Sequence, residues 1–253
     1  MKQLVFQLIL LLIIICGFSG FTQSLNDSIG IDTLNRTDAK GLKQGYWIKK
    51  FDNGNVDYEG FFIDDKPARL MKRYYDNGKI KASFIYYNDN KSSAAHLFYK
   101  DSVVMATGLY HEEKKDSLWR FYDKTGVLLA EETYNDGIKN GISNVYYQNG
   151  QVYEQIEWIN GVKDGIWKQY FEDGQLKIEA KYVKDNLEGF AKFYNVDGGL
   201  SQEGIYRNNM KDSTWNFYDK GGSVKIRQKY NKGKLLNKEE VDEYIRKMEE
   251  EGK

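Results

Sequence analysis

Proline occurs once and cysteine once in 253 residues, and there are only two histidines. Each scarcity excludes something. A residue without an N–H cannot sit inside a strand ladder, so a nearly proline-free chain is compatible with strand throughout. The lone thiol, Cys16, rules out a disulfide framework and a thiolate metal site. Neither sign of charge prevails: Lys+Arg and Asp+Glu both number 37, giving no electrostatic pull toward nucleic acid or an anionic membrane.

The one long apolar run is Leu8–Ile15, which is too short to span a bilayer. Lys2 precedes it and the small residues Gly17, Ser19 and Gly20 follow, so residues 1–22 read as a secretory signal peptide cut between Ser19 and Ser24. The alternative is an uncleaved membrane anchor. A lipoprotein signal needs a small residue before its cysteine, and Ile15 stands before Cys16. The expectation is an exported chain without thiols, placed in the periplasm, on the outer surface or outside the cell.

What is abundant is tyrosine, 20 residues, and glycine, 24, and both fall on a period of 24 residues. An apolar column runs Val56, Ile80, Val104, Leu128, Val152, Leu176, Leu200, Val224. An aromatic column runs Phe62, Tyr86, Tyr110, Tyr134, Trp158, Tyr182, Tyr206, Tyr230. Two columns of turn-forming residues accompany them. One runs Gly41, Asp65, Asp89, Glu113, Gly137, Gly161, Asp185, Asn209, Gly233, and the other Gly45, Arg69, Ser93, Ser117, Gly141, Gly165, Gly189, Ser213, Asn237.

Each unit reads as a β-hairpin. In the sixth, Ile166 to Phe171 is the opening strand, Glu172-Asp173-Gly174 the turn and Gln175 to Val183 the return strand. Leu176, Ile178, Ala180 and Tyr182 alternate with Lys177, Glu179 and Lys181, the pattern of a sheet with one buried face and one charged face. Such hairpins cannot bury an apolar face alone and must stack. The predicted architecture is all-β: residues 41–236 form an elongated single-sheet repeat of eight hairpins, about sixteen strands by the two-per-hairpin geometry, coiled as a half-pipe. Residues 23–40 read as a linker. Residues 237–253 carry a short capping helix, with helical bounds 238–250, Asn237 as its N-cap and Glu240 completing a capping box. Val241, Tyr244, Ile245 and Met248 form its apolar stripe.

The opening strands carry a further column: Trp47, Met71, Ala95, Trp119, Ser143, Trp167, Ala191, Trp215. Alternation of large and small lets each indole lean over its neighbour. Trp47, Trp119, Trp167 and Trp215, with Tyr134, Trp158, Tyr182 and Tyr206, are the candidate aromatic binding face. The competing and preferred reading makes them core.

The runs Gly137-Ile-Lys-Asn-Gly141, Gly161-Val-Lys-Asp-Gly165-Ile-Trp167 and Trp167-Lys-Gln-Tyr-Phe-Glu-Asp-Gly174-Gln-Leu resemble MORN-type repeats, in the bacterial variant grouped as the YwqK antitoxin family. The resemblance spans about residues 41–235, and units two and three depart from it at Pro67, Arg69, Ser93 and Ser102. It implies a β-hairpin repeat, binding to other proteins, and a possible toxin as partner; it supplies no catalytic residue.

No chemistry stands out beside it. His96 and His111 have no cysteine to pair with, no phosphate loop or zinc spacing occurs, and the turns at 52–54, 76–78 and 172–174 lack the alternating carboxylates of a calcium loop. The expectation is therefore a non-enzymatic chain without cofactor or metal. It acts as a protein-interaction or scaffold module in the cell envelope, or alternatively as an antitoxin or immunity protein. Nucleic acid is not expected as a partner, and membrane lipid is disfavoured for want of a polybasic cluster.

Overall fold

The computed structural model describes residues 34–88 and 90–250. The expected signal peptide lies outside them. Among the described residues nineteen strands follow one another as an open antiparallel meander. In chain order they begin β1 (Arg36–Thr37), β2 (Lys43–Lys50), β3 (Val56–Ile63), β4 (Lys66–Tyr74), β5 (Ile80–Tyr87) and β6 (Ser92–Phe98). The middle holds β7 (Val104–His111), β8 (Lys114–Tyr122), β9 (Leu128–Asn135), β10 (Ile138–Tyr146), β11 (Val152–Ile159), β12 (Val162–Tyr170) and β13 (Leu176–Val183). The last are β14 (Asn186–Leu187), β15 (Gly189–Tyr194), β16 (Leu200–Arg207), β17 (Met210–Tyr218), β18 (Val224–Asn231) and β19 (Lys234–Leu235), followed by helix α1 (Lys238–Glu250).

The eight return strands β3, β5, β7, β9, β11, β13, β16 and β18 start at 56, 80, 104, 128, 152, 176, 200 and 224, the positions of the apolar column. The count exceeds sixteen because the seventh opening strand breaks at Glu188 into β14 and β15, and because short strands flank the repeat at both ends. One of them, Arg36–Thr37, pairs with Lys43–Gln44 inside the stretch expected to be a linker.

Two turns alternate. Between units, two residues both take φ > 0, as in Asp136 (52°) and Gly137 (83°), which is the hairpin geometry that matches strand twist. Within units the turn is longer: Gly174 (φ 87°) donates to the Phe171 carbonyl at 2.9 Å, and Phe171 donates to the Gln175 carbonyl at 2.8 Å. Neighbouring turns are tied by tyrosines: Tyr75 donates to the Phe98 carbonyl, Tyr99 to that of Tyr122 and Tyr147 to that of Tyr170.

The second column of turn residues is not in a turn. Gly45, Arg69, Ser117, Gly141, Gly165, Gly189 and Ser213 lie within or directly against opening strands, all at positive φ. They mark a bulge. On β12, residues 164–166 face Glu157 alone, since Lys163 pairs with Trp158 and Trp167 with Ile156. On the other side of the same strand the register runs regularly past the bulge, shifting only near the strand's end, and these bulge residues sit opposite the aromatic column: Gly45 on Phe62, Ser117 on Tyr134, Gly141 on Trp158, Gly165 on Tyr182 and Ser213 on Tyr230. Ser93 and Asn237 are the exceptions: Ser93 has ordinary φ in a regular ladder of the third unit, and Asn237 lies just before the C-terminal helix.

Helix α1 has the expected bounds, but its start is built differently. The Asn237 side chain does not cap the helix. Its Oδ1 accepts from the Lys229 backbone N–H at 2.8 Å, and its Nδ2 donates to the Arg227 carbonyl at 3.0 Å and to Glu240 Oε2 at 3.1 Å. The carboxamide is drawn to the open edge of β18, where two peptide groups compete for it. Val241 is buried against that edge, whereas Ile245 remains 47% exposed, so only part of the apolar stripe is covered.

Candidate interaction faces

A one-layer sheet has two faces. On the first lies the tryptophan column, and the register carries it across the strands as one row with a break between Gly108 and Trp119, where the bulge interrupts the ladder and the indole lies against Gly108. From one end it reads Trp47, Gly60, Met71, Phe84, Ala95, Gly108, Trp119, Glu132, Ser143, Ile156 and Trp167. Trp119 and Trp215 are wholly buried. The reason is glycine on the preceding strand: a Cβ at Gly108 would stand 2.3 Å from Trp119 Cδ2, and one at Gly204 would stand 2.3 Å from Trp215 Cδ2. Each indole lies flat on bare backbone and donates to the carbonyl one residue beyond, Leu109 at 2.9 Å and Ile205 at 3.1 Å. Ala95 and Ala106 complete one cluster, Ala180 and Ala191 the other.

Trp167 faces Ile156 instead of glycine, donates to Glu154 Oε1 at 2.9 Å, and is half-buried. Trp47 is half-buried and donates to the Arg36 carbonyl at 3.0 Å. The other candidate residues share this face and pack on these rings. Tyr206 meets Trp215 edge-on at 5.0 Å, Tyr182 meets Trp167 at 5.5 Å, and Tyr134 packs against the Trp119 cluster. Trp158 is half-buried, and its Nε1 is buried without a hydrogen-bond partner, as is Ser143 Oγ two register positions away.

A lysine column, not singled out in the sequence, covers this row. Lys115 Nζ lies 4.6 Å from the Trp119 ring, 4.7 Å from Phe121 and 4.9 Å from Tyr134. Lys211 repeats the arrangement with Trp215 at 4.1 Å, Phe217 at 5.2 Å and Tyr230 at 5.5 Å, and Lys43 does so with Trp47, Tyr58 and Phe62. Burial pushes the amines of Lys115 and Lys211 below the ordinary lysine range. Lys139 stands over Trp158 and binds Glu132 Oε1 at 2.6 Å. Burial alone would raise the Glu132 carboxyl, but Lys139 and Tyr134 hold it down. The ring faces are thus occupied by the chain's own cations. The signal was legible, since lysine recurs at 43, 91, 115, 139, 163 and 211.

The second face is not simply charged. Its return strands do carry charge, paired across strands as Lys72–Glu59, Arg120–Glu131 and Lys168–Glu179. Its opening strands present the residue just after each bulge, and Leu70, Leu118, Ile142, Ile166 and Phe190 are exposed there, Ile142 by 51% and Phe190 by 53%. Ile85 extends this row beside Leu70. Flanking it, Tyr74, Tyr146 and Tyr218, three units apart, each donate to a glutamate, Glu59, Glu131 and Glu203. Burial and the Glu131 contact push the Tyr146 hydroxyl up to about 12.

The histidines are apart. His96 is exposed on β6, and His111 Nδ1 lies 3.0 Å from Ser92 Oγ in a cross-strand pair, with no carboxylate hydrogen-bonded to His111 among the described residues. No cluster of metal-ligating side chains and no helix long and apolar enough to cross a membrane occurs among the described residues.

No curated protein matches the chain. A solved complex entitled TcdB2-TccC3-Cdc42 resembles it with 10% identity over 79% of this chain and 16% of that one, at a TM-score of 0.17. Four of the repeats, residues 70–89, 115–136, 139–160 and 163–184, match the family described as MORN repeat variant.

Proposed function

We propose that this protein is a non-enzymatic interaction module that binds a folded protein partner along its second face. MORN repeats suggest a protein-interaction module. The observation that carries the choice of face is the row of exposed apolar side chains Leu70, Leu118, Ile142, Ile166 and Phe190, each on an opening strand, on a face where Lys72–Glu59, Arg120–Glu131 and Lys168–Glu179 are paired across strands. Balanced charge favours an apolar protein ridge over a polyanion. The first face is a poorer candidate because its own lysines and glycines fill it. The leader-like Leu8–Ile15 run supports a scaffold role in the envelope. A toxin as occupant would make the same binding an antitoxin activity, which rests on the YwqK resemblance.

The test uses an Ile142→Glu/Ile166→Glu/Phe190→Glu variant and wild type as bait in envelope extract. Equal circular dichroism with loss of a stoichiometric partner supports the proposal. Retention of that partner by the triple variant refutes the face, and capture of no specific partner by wild type refutes the module.

A further inference from the structure

An open sheet edge presents unpaired N–H and C=O groups, and in a stacked repeat this hazard has a special form. Every interior junction joins a return strand to the next unit's opening strand. The outer edge of β18 and the outer edge of β2 are therefore the two halves of one more such junction. The short strands β1 and β19 cover only Lys43–Gln44 of one edge and Tyr230–Asn231 of the other, so the rest of β18 in one copy could continue into β2 of the next once its plug is gone. Such a contact is head-to-tail and does not close, so it propagates.

The residues that would meet follow from the period. Within the chain Glu203 pairs with Asn216. One unit further on, Arg227 takes the place of Glu203, and Ile48 of a second copy takes the place of Asn216. Those two positions are the ones blocked. At the C-terminal edge Leu236 donates to the Lys229 carbonyl at 2.8 Å, as Glu188 donates to Lys181 in the interior. The chain then turns away into α1, and the Asn237 carboxamide stands where the strand would continue, bonding the Lys229 N–H and the Arg227 carbonyl. At the N-terminal edge Asn35 donates its backbone N–H to the Tyr46 carbonyl at 3.0 Å. Its side-chain Oδ1 accepts from the Ile48 N–H at 2.8 Å and its Nδ2 donates to the Ile48 carbonyl at 3.1 Å. A carboxamide carries one acceptor and one donor side, like a peptide group, so each plug satisfies the edge without offering a new one.

We propose that Asn35 and Asn237 are terminators that keep a second copy of this chain from adding to either end of the sheet. Removing one plug opens one half of the junction, and removing both opens a self-complementary pair. This predicts an asymmetry that a general loss of stability does not produce. Asn35→Ala and Asn237→Ala are each monomeric alone, and equimolar mixing of the two gives a one-to-one dimer. The double variant forms chains that lengthen with concentration.

Sedimentation velocity of the purified chain, with circular dichroism to confirm unchanged strand content, reads this directly. The expected result is at least a tenfold increase in association for the mixture over either single variant and over wild type. A mixture that stays monomeric overturns the proposal. So does association of either single variant alone to the same extent, or of wild type to the extent of the double variant. Should the double variant fail to fold, the mixing experiment stands without it.

Discussion

Replacing Gly108 with alanine adds one methyl group and should cost more than removing many a larger side chain. The new Cβ would lie 2.3 Å from Trp119 Cδ2 and 2.4 Å from Cε2, both in a rigid ring, so the indole must leave its bed. Trp167 shows the alternative: opposite Ile156 the indole of the same column is only half-buried. An aromatic side chain buries about 150–250 Å², so re-exposing half an indole at about 25 cal/mol/Å² costs about 2–3 kcal/mol. Loss of the bond to the Leu109 carbonyl adds about 1 kcal/mol. The expected destabilisation is about 3–4 kcal/mol for Gly108→Ala, and the same for Gly204→Ala over Trp215. Gly60→Ala is the internal control: its Cβ would lie 3.1 Å from Met71 Cα, Cβ and Cγ, a contact that a strand shift of a few tenths of an ångström relieves, so the loss should be smaller, about 1 kcal/mol. Urea denaturation followed by circular dichroism measures all three. A double-mutant cycle adds rigour, because in a Trp119→Ala background Gly108→Ala should be nearly neutral. Equal losses for Gly60→Ala and Gly108→Ala, or additivity in the cycle, would falsify the packing argument.

Two further outcomes follow from the same geometry. Ser213 holds φ 61° at a bulge, so Ser213→Gly should stabilise by about 0.5–1 kcal/mol, whereas Arg69→Gly should gain less because the Arg69 guanidinium lies 4.4 Å from the Phe61 ring; thermal melts of the two variants decide this. Alkaline pH should unfold the sheet: burial raises Tyr86, Tyr110, Tyr182 and Tyr206, and burial with glutamate contacts raises Tyr74, Tyr134 and Tyr146, so their stabilisation is complete below about pH 10 and is lost as pH climbs through the raised values. The depressed Lys115 and Lys211 oppose this, since their penalty fades as pH rises, but two lysines face many tyrosines; a urea midpoint unchanged from pH 8 to pH 12 would refute the balance.

The period and the all-β fold were legible because every unit meets the same neighbours, and a column such as Val56 to Val224 repeats one environment eight times. The bulge was not legible as a bulge. Glycine, serine and asparagine serve a turn and an in-strand left-handed residue equally well, and only the register of Gly165 on Tyr182 separates them. Asn237 misled for a related reason: asparagine favours helix starts, yet an open strand edge offers its carboxamide two backbone partners at once. The charged second face was read from the return strands, where alternation is clean. The opening strands shift face at the bulge, which hides the Ile142, Ile166 and Phe190 column from a count of alternating residues.

A sheet one layer thick has no interior that its chain order alone defines, so the choice of binding face turns on which side chains the protein has already satisfied. Trp119 and Trp215 are held down by glycine beneath and lysine above, and a ligand could reach them only by displacing both. The apolar row of the second face is exposed, and of the nearby carboxylates Glu59 and Glu131 are bound to tyrosine, lysine or arginine of the same face, while Glu157 accepts from the Ile166 backbone N–H. Those pairs fix the flanks without covering the row. Burial of an Ile142, Ile166 and Phe190 strip by a partner therefore requires no prior rearrangement of the sheet, and it leaves the indole clusters untouched. Substitutions on the two faces should separate accordingly, with stability lost at Gly108 and partner binding lost at Ile166.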